Sequence, residues 1–271
     1  MNTISGIGKT ERSNLARVMR GTKGTISVGE ASDILGVPRA NAAKMLSRWA
    51  RKGWVSRLRR GLYVPVPVES STPDVAVEDP WIIAVRLFEP CYIGGWTAAE
   101  HWGLTEQIFA DVVVMTTRRP RDRGQEVKGI RFSVRTVQER TLFGLKTVWK
   151  AKDKVRVSDP SRTIVDMLAD PGLGGGIRPV VDVFRNYLAS EHRALGIVKE
   201  HAIRLGNGAV FKRLGFLMER LAPEEKELLE TCRELLTKGN AVLDPDLPRD
   251  RLITKWRLWV PGNWAEGRRG D

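Results

Sequence analysis

The sequence predicts an α+β protein. A small N-terminal unit of three helices and a hairpin precedes a mixed α/β C-terminal domain with several helices. Three observations predict this. Apolar residues recur at helical spacing in three short segments before Gly53. A strand, a basic turn and a returning strand follow at residues 54–64. Beyond residue 80, short β-type runs are interspersed with amphipathic stretches. At 271 residues, 42% of them hydrophobic, the chain suits two domains with real cores rather than one small module.

The first helix is expected over residues 10–20, with Leu15, Val18 and Met19 turned inward and Gly21 ending it. Ser27 and Glu30 have the capping-box spacing and open a second helix, with Val28, Ala31, Ile34 and Leu35 apolar and Gly36 as its stop. Pro38 suits the first turn of a third helix that runs to about Lys52 and stops at Gly53. Its buried side is Ala42, Leu46, Trp49 and Ala50; Asn41, Lys44, Arg48 and Arg51 fall on the opposite side. Trp54–Arg57 reads as a strand, Leu58–Gly61 as a basic turn and Leu62–Val64 as the return. Helix, helix, helix, hairpin is the order of a winged helix-turn-helix, placed at residues 1–66. Pro- and Ser-rich residues 67–79 read as a linker, and residues 80–271 as the C-terminal domain.

In that domain, Tyr92–Ile93, Val112–Met115, Ile130–Val134 and Lys154–Val157 read as strands. Thr97 is expected to cap a helix reaching Trp102. Ser158 or Asp159 caps another, opened by Pro160, with Ile164, Val165 and Leu168 inward. Further helices are expected at 178–189, 193–205, 208–221 and 223–237, and a last strand at Trp256–Val260. No internal repeat is visible.

The charge is unevenly placed. Residues 1–66 carry 13 Lys and Arg against 3 Asp and Glu, a net +10 of the chain's +13. From Arg39 to Arg60 there are eight basic residues and no acidic one. A basic surface of this kind calls for a polyanionic partner, and its shape suits double-stranded DNA, whose phosphates are dense and whose major groove admits one helix. The third helix is expected to enter that groove. Arg39 and Lys44 are candidates for guanine. Asn41 reads equally as an adenine contact and as a polar surface residue. Arg48 and Arg51 are candidates for phosphates, and Arg57, Arg59 and Arg60 at the wing for the backbone or the minor groove. Trp49 and Trp54 are assigned to the core rather than to base stacking.

Other classes find less support. No apolar run reaches the ~20 residues of a membrane span. The N-terminal residues lack a signal-peptide stretch, so a cytoplasmic location without membrane association is expected. Two cysteines, Cys91 and Cys232, and three scattered histidines match no disulfide or zinc spacing, and no metal or cofactor is expected. Asp244-x-Asp246 has the spacing of a nucleotidyltransferase magnesium site but flanks Pro245 and lacks a Gly-Ser pair upstream. Asp111 with Glu126-x-Lys128, near Arg118, Arg119 and Arg121, gives a metal-dependent nuclease as an enzyme alternative, although Glu126 and Lys128 flank an expected turn after Gly124. Gly174-Gly175-Gly176 could cradle phosphate before a helix but lacks a P-loop ending.

Several segments carry a family resemblance. They are Arg60-Gly61-Leu62-Tyr63, Ala98-Ala99-Glu100-His101-Trp102-Gly103-Leu104, Val157-Ser158-Asp159-Pro160-Ser161-Arg162-Thr163 through Asp166, Lys212 to Glu219 and Leu243-Asp244-Pro245. Together they resemble the AbiEi-type abortive-infection antitoxins of type IV toxin-antitoxin systems. The expected His-Gly order departs at His101-Trp102-Gly103. The resemblance implies a non-enzymatic repressor that binds inverted repeats upstream of its own operon; an inverted repeat suits two copies, a dimer on DNA. It also implies a C-terminal domain that counteracts a nucleotidyltransferase toxin, without requiring direct contact with it. A transcriptional regulator whose second domain senses a ligand or partner is the main alternative.

Overall fold

The computed structural model describes residues 8–22, 25–66, 79–120, 123–127, 129–150 and 153–265. Most of the expected linker, residues 67–78, and Lys128 lie outside the described residues. The chain divides into two compact units, residues 1–87 with 125–131, and residues 88–124 with 132–271.

The first unit holds α1 (Lys9–Gly21), β1 (Ile26–Ser27), α2 (Val28–Leu35), α3 (Arg39–Arg51), β2 (Val55–Arg59) and β3 (Leu62–Pro65). Ser27 and Glu30 form the expected capping box, each side chain accepting the other residue's amide at 2.9–3.1 Å. The turn between α2 and α3 is fixed by its sequence. Gly36 adopts φ +66°, a left-handed conformation that glycine takes without cost. Ser32 then clamps the turn: its carbonyl accepts the Val37 amide at 3.1 Å, and its hydroxyl donates to the Val37 carbonyl at 2.6 Å. Val18, Ile26, Ala31, Ala42, Leu46 and Trp49 are fully buried and, with Trp54, Val55 and Tyr63, form one core. β3 lies between β1 and β2 in an antiparallel three-stranded sheet. The unit is a winged helix-turn-helix. The basic turn is shorter than expected. β2 continues to Arg59 through a bulge at Leu58, whose side chain is buried, so only Arg60 and Gly61 make the turn. Helix α4 (Pro80–Phe88), whose Asp79 accepts the Trp81 amide at 2.9 Å, was not anticipated.

In chain order, β4 (Cys91–Ile93), α5 (Gly95–His101), β5 (Asp111–Thr116), β6 (Gly124–Val127), β7 (Ile130–Thr136), β8 (Leu145–Lys150) and β9 (Asp153–Ser158) follow. β6 replaces the expected turn after Gly124, which falls instead at Gly129, φ +76°. Five strands of the large sheet belong wholly or mostly to the second unit, in the order β7-β5-β4-β9-β8. β4 pairs with β5 and β8 with β9 antiparallel, whereas β4 and β9 run parallel. Then come α6 (Pro160–Ala169), α7 (Ile177–Ala189), α8 (Leu195–Leu205), α9 (Gly208–Leu221), α10 (Lys226–Glu234), three short strands β10 (Ala241–Val242), β11 (Arg251–Ile253) and β12 (Leu258–Val260), and α11 (Gly262–Ala265). The apolar faces of α6, α7 and α9 supply most of the main core.

Three local expectations change. Thr97 does not cap α5; the helix starts at Gly95, and the Thr97 hydroxyl accepts the Val113 amide at 2.9 Å, tying helix to strand. α10 is shorter than 223–237 at both ends. The last strand begins at Leu258, because Thr254–Trp256 forms a 3-10 turn and Arg257 takes φ +50°.

Candidate nucleic-acid interface

The third helix is held from behind by its apolar stripe. Ala42, Leu46 and Trp49 are completely buried against α1, α2 and the sheet. That packing turns the other side outward. Arg39, Asn41, Lys44, Arg48 and Arg51 are all exposed, as are Arg57, Arg59 and Arg60 on the wing. Each of the eight residues singled out from sequence therefore presents its side chain to solvent. Trp49 and Trp54 are core residues; the Trp54 ring also carries the Lys52 ammonium 4.5 Å from its centroid.

Two contacts that spacing could not reveal organise this face. Glu11 on α1 accepts from Arg48 at 2.8 Å and from Lys52 at 3.0 Å. Lys52, first, and Arg48 hold its carboxyl below the usual carboxylate range. Arg48 is thus partly engaged within the protein, whereas Arg39, Lys44 and Arg51 stand outward. The second contact joins helix and wing: Ser47 Oγ and Tyr63 Oη lie 3.2 Å apart. Ser47 and Glu11 gave no sequence signal, since their partners lie 16 and about 40 residues away. Within the wing, Arg57 Nε reaches the Arg59 carbonyl at 3.4 Å, and the Val28 amide donates to the Gly61 carbonyl at 3.2 Å, which fixes the turn against α2.

Two of the enzyme-like constellations, Asp244-x-Asp246 and the glycine run, resolve into structural roles. Asp244 is buried; it accepts the Ile177 amide at 2.6 Å and the Asp246 amide at 3.0 Å. It therefore caps α7 across 67 residues of chain, and its carboxylate fills the helix N-terminus where a phosphate bound by the glycine run would sit. Asp111 opens β5 and Glu126 lies on β6, two different strands.

The Asp159–Asp166 segment is also structural. Asp159 caps α6 through the Arg162 amide at 2.7 Å. Arg162 and Asp166, both buried, pair at 2.9 Å, and Tyr92 donates to Asp166 at 2.9 Å while accepting from Arg162 at 3.3 Å. Burial pushes the Asp166 carboxyl up, and Arg162 and Tyr92 oppose it. Burial likewise keeps the Tyr92 phenol protonated, so that it donates. In α9, Arg213 donates to the carbonyls of Leu168, Ala169, Val242 and Leu243 at 2.7–3.1 Å, satisfying the end of α6. A Cβ on Gly215 would lie 2.1 Å from the Trp256 ring, so only glycine admits it; Glu219 takes the Trp256 indole N–H at 2.7 Å.

Residues 15–66 match the model of a family described as transcriptional regulator, AbiEi antitoxin. No curated protein matches the chain. Among solved structures, the crystal structure of the RV2827C protein from Mycobacterium tuberculosis is similar over 96% of this chain and 94% of that one, with a TM-score of 0.60 and 13% identity. At that identity the likeness speaks for the fold. No helix among the described residues is long and apolar enough to cross a membrane.

Proposed function

We propose that this chain, whose residues 15–66 match the antitoxin-regulator family, is the antitoxin of a type IV toxin-antitoxin pair. In this reading it binds operator DNA, represses its own operon and counteracts a nucleotidyltransferase toxin. Its action is regulatory rather than catalytic, and its site of action is the cytoplasm. The observation that carries the reading is the exposed basic face of α3 and its wing over a packed core, drawn from Arg39–Arg60, a stretch with eight basic residues and no acidic one. Residues 1–66 are the DNA-binding domain, and residues 80–271 serve the antitoxin role.

In this reading α3 lies in the major groove. Arg39, Asn41 and Lys44, in its first turns, meet base edges; Arg51 and, in part, Arg48 hold phosphates; Arg57, Arg59 and Arg60 reach the flanking backbone or minor groove. Two copies occupy an inverted repeat.

The test is a mobility-shift titration on DNA from upstream of the protein's own gene, with Arg39→Ala/Lys44→Ala beside the wild type. With about five phosphate contacts, log K should fall with log salt at a slope of about −4 to −5. Tight, salt-sensitive binding that the double variant loses supports the reading. Binding that is absent, or unchanged in the double variant, overturns it. Rescue of growth on co-expression with the neighbouring toxin gene tests the antitoxin half separately.

A further inference from the structure

The edge of the large sheet carries features that operator binding does not use. β8 is the last strand in the sheet order, so among the described residues its outer side has no neighbouring strand. Edge strands are ordinarily blunted by lysines, and β8 has Lys146 and Lys150. Trp149 does not fit that explanation. It is 61% exposed on the same strand, where a large apolar ring invites association rather than preventing it.

The register shows what surrounds the ring. Trp149 stands opposite Lys154 and Thr147 opposite Arg156, so these four share one face of the β8–β9 hairpin. The Lys154 ammonium sits 4.9 Å from the Trp149 ring centroid. The opposite face of the strand repeats the combination. Lys146 lies 5.4 Å from the Trp102 ring, which meets His101 at 4.6 Å and His192 at 6.0 Å. Burial, and then the charge of Lys150, lower the His101 pKa and favour a neutral ring. Each face of the hairpin therefore carries a ring with a cation on it, and Asp153 stands opposite Lys150 in the register.

We propose that this edge is a second binding surface, for a single-stranded nucleic acid, with Trp149 as the stacking platform and Lys154 and Arg156, on the same face of the hairpin, along the phosphates. An acidic protein segment would use the cations but has no need of a solvent-facing indole beside them. A duplex would use the cations too, but its base faces are already stacked on one another. An unpaired base offers the free π-face that an exposed indole can cover. The inference goes beyond the operator reading and does not depend on it.

The test measures fluorescence anisotropy of a 5′-fluorescein-labelled oligothymidylate of about 12 nucleotides with the full chain. Trp149→Ala should weaken binding about tenfold, Trp149→Phe should keep most of it, and Lys154→Gln/Arg156→Gln should flatten the salt dependence. Arg39→Ala/Lys44→Ala should bind the oligonucleotide as the wild type does. A thermal unfolding midpoint unchanged from the wild type serves as the control for folding of the Trp149→Ala variant. The proposal is overturned if the wild type does not bind the oligonucleotide, if Trp149→Ala binds it equally well, or if Arg39→Ala/Lys44→Ala abolishes binding. Displacement by polyglutamate as effective as by unlabelled oligothymidylate would likewise overturn it, in favour of an acidic protein partner.

Discussion

The hydroxyls of Ser47 and Tyr63 lie 3.2 Å apart, joining the third helix to the returning strand of the wing. Ser47 comes from the exposed side of α3, whereas Tyr63 is almost wholly buried. The bond therefore fixes the angle between the two parts of the basic face. Tyr63→Phe should cost about 0.5–1.5 kcal/mol of stability in urea denaturation and lower operator affinity a few-fold. Ser47→Ala should do the same, and the double variant should cost little more than either single one. Strictly additive losses would show that the two hydroxyls act independently.

Glu11 competes with DNA for two cations. Glu11→Gln should release Arg48 and Lys52, raise operator affinity several-fold and steepen the salt slope by up to about two. An unchanged slope would mean that neither cation reaches a phosphate. The pH dependence follows from the lowered carboxyl pKa, whose largest cause is the Lys52 hydrogen bond. A depressed carboxylate contributes stability that is fully present above its unfolded pKa of about 4.3 and lost as pH falls through the lower folded value. Between pH 6 and 8 the stability difference between wild type and Glu11→Gln should be flat; it should shrink only below about pH 4.

The buried Arg162–Asp166 pair should behave as a unit. Asp166→Leu alone leaves a guanidinium buried without its carboxylate, and Arg162→Met alone strands the acid. Each should cost about 3–5 kcal/mol. The double variant should be more stable than either single one, because both desolvated charges are gone. Thermal unfolding of the four proteins measures the coupling; a double variant as unstable as the sum of the singles would refute it.

Cys91 and Cys232 are both buried, and burial pushes each thiol up to about 12. The thiolate is the reactive form, and burial keeps it scarce at pH 8. A thiol reagent should label neither cysteine in the native protein and both after denaturation in guanidinium. Rapid native labelling of either would show that its surroundings open.

Much of the N-terminal unit was legible because its signals are local. A capping box spans three residues, an apolar stripe recurs within one helix, and Gly36 stops α2 at the position where the chain must turn left-handed. The eight residues expected on the basic face are all exposed: helical periodicity separates the two sides of α3 for five of them, and Arg57, Arg59 and Arg60 lie in or beside the hairpin turn. In the second unit the cap at Asp159 and the i, i+4 pair of Arg162 with Asp166 were equally local. Thr97 misled, because a hydroxyl near a helix start resembles a cap whether or not a neighbouring strand claims it.

The sequence by itself determined the winged helix-turn-helix, the outward basic face and the chain order of most helices, since these follow from backbone preferences and periodicity within a few residues. Tertiary structure alone decided what those side chains meet. It tied Arg48 and Lys52 to Glu11, Ser47 to Tyr63, Asp244 to the start of α7 and Trp256 to the space above Gly215. It also left Trp149 facing solvent on an edge strand. Each of these depends on residues distant in sequence being packed together or left uncovered. Burial and pairing across such distances are set by the packing of the whole unit, and no local pattern encodes them.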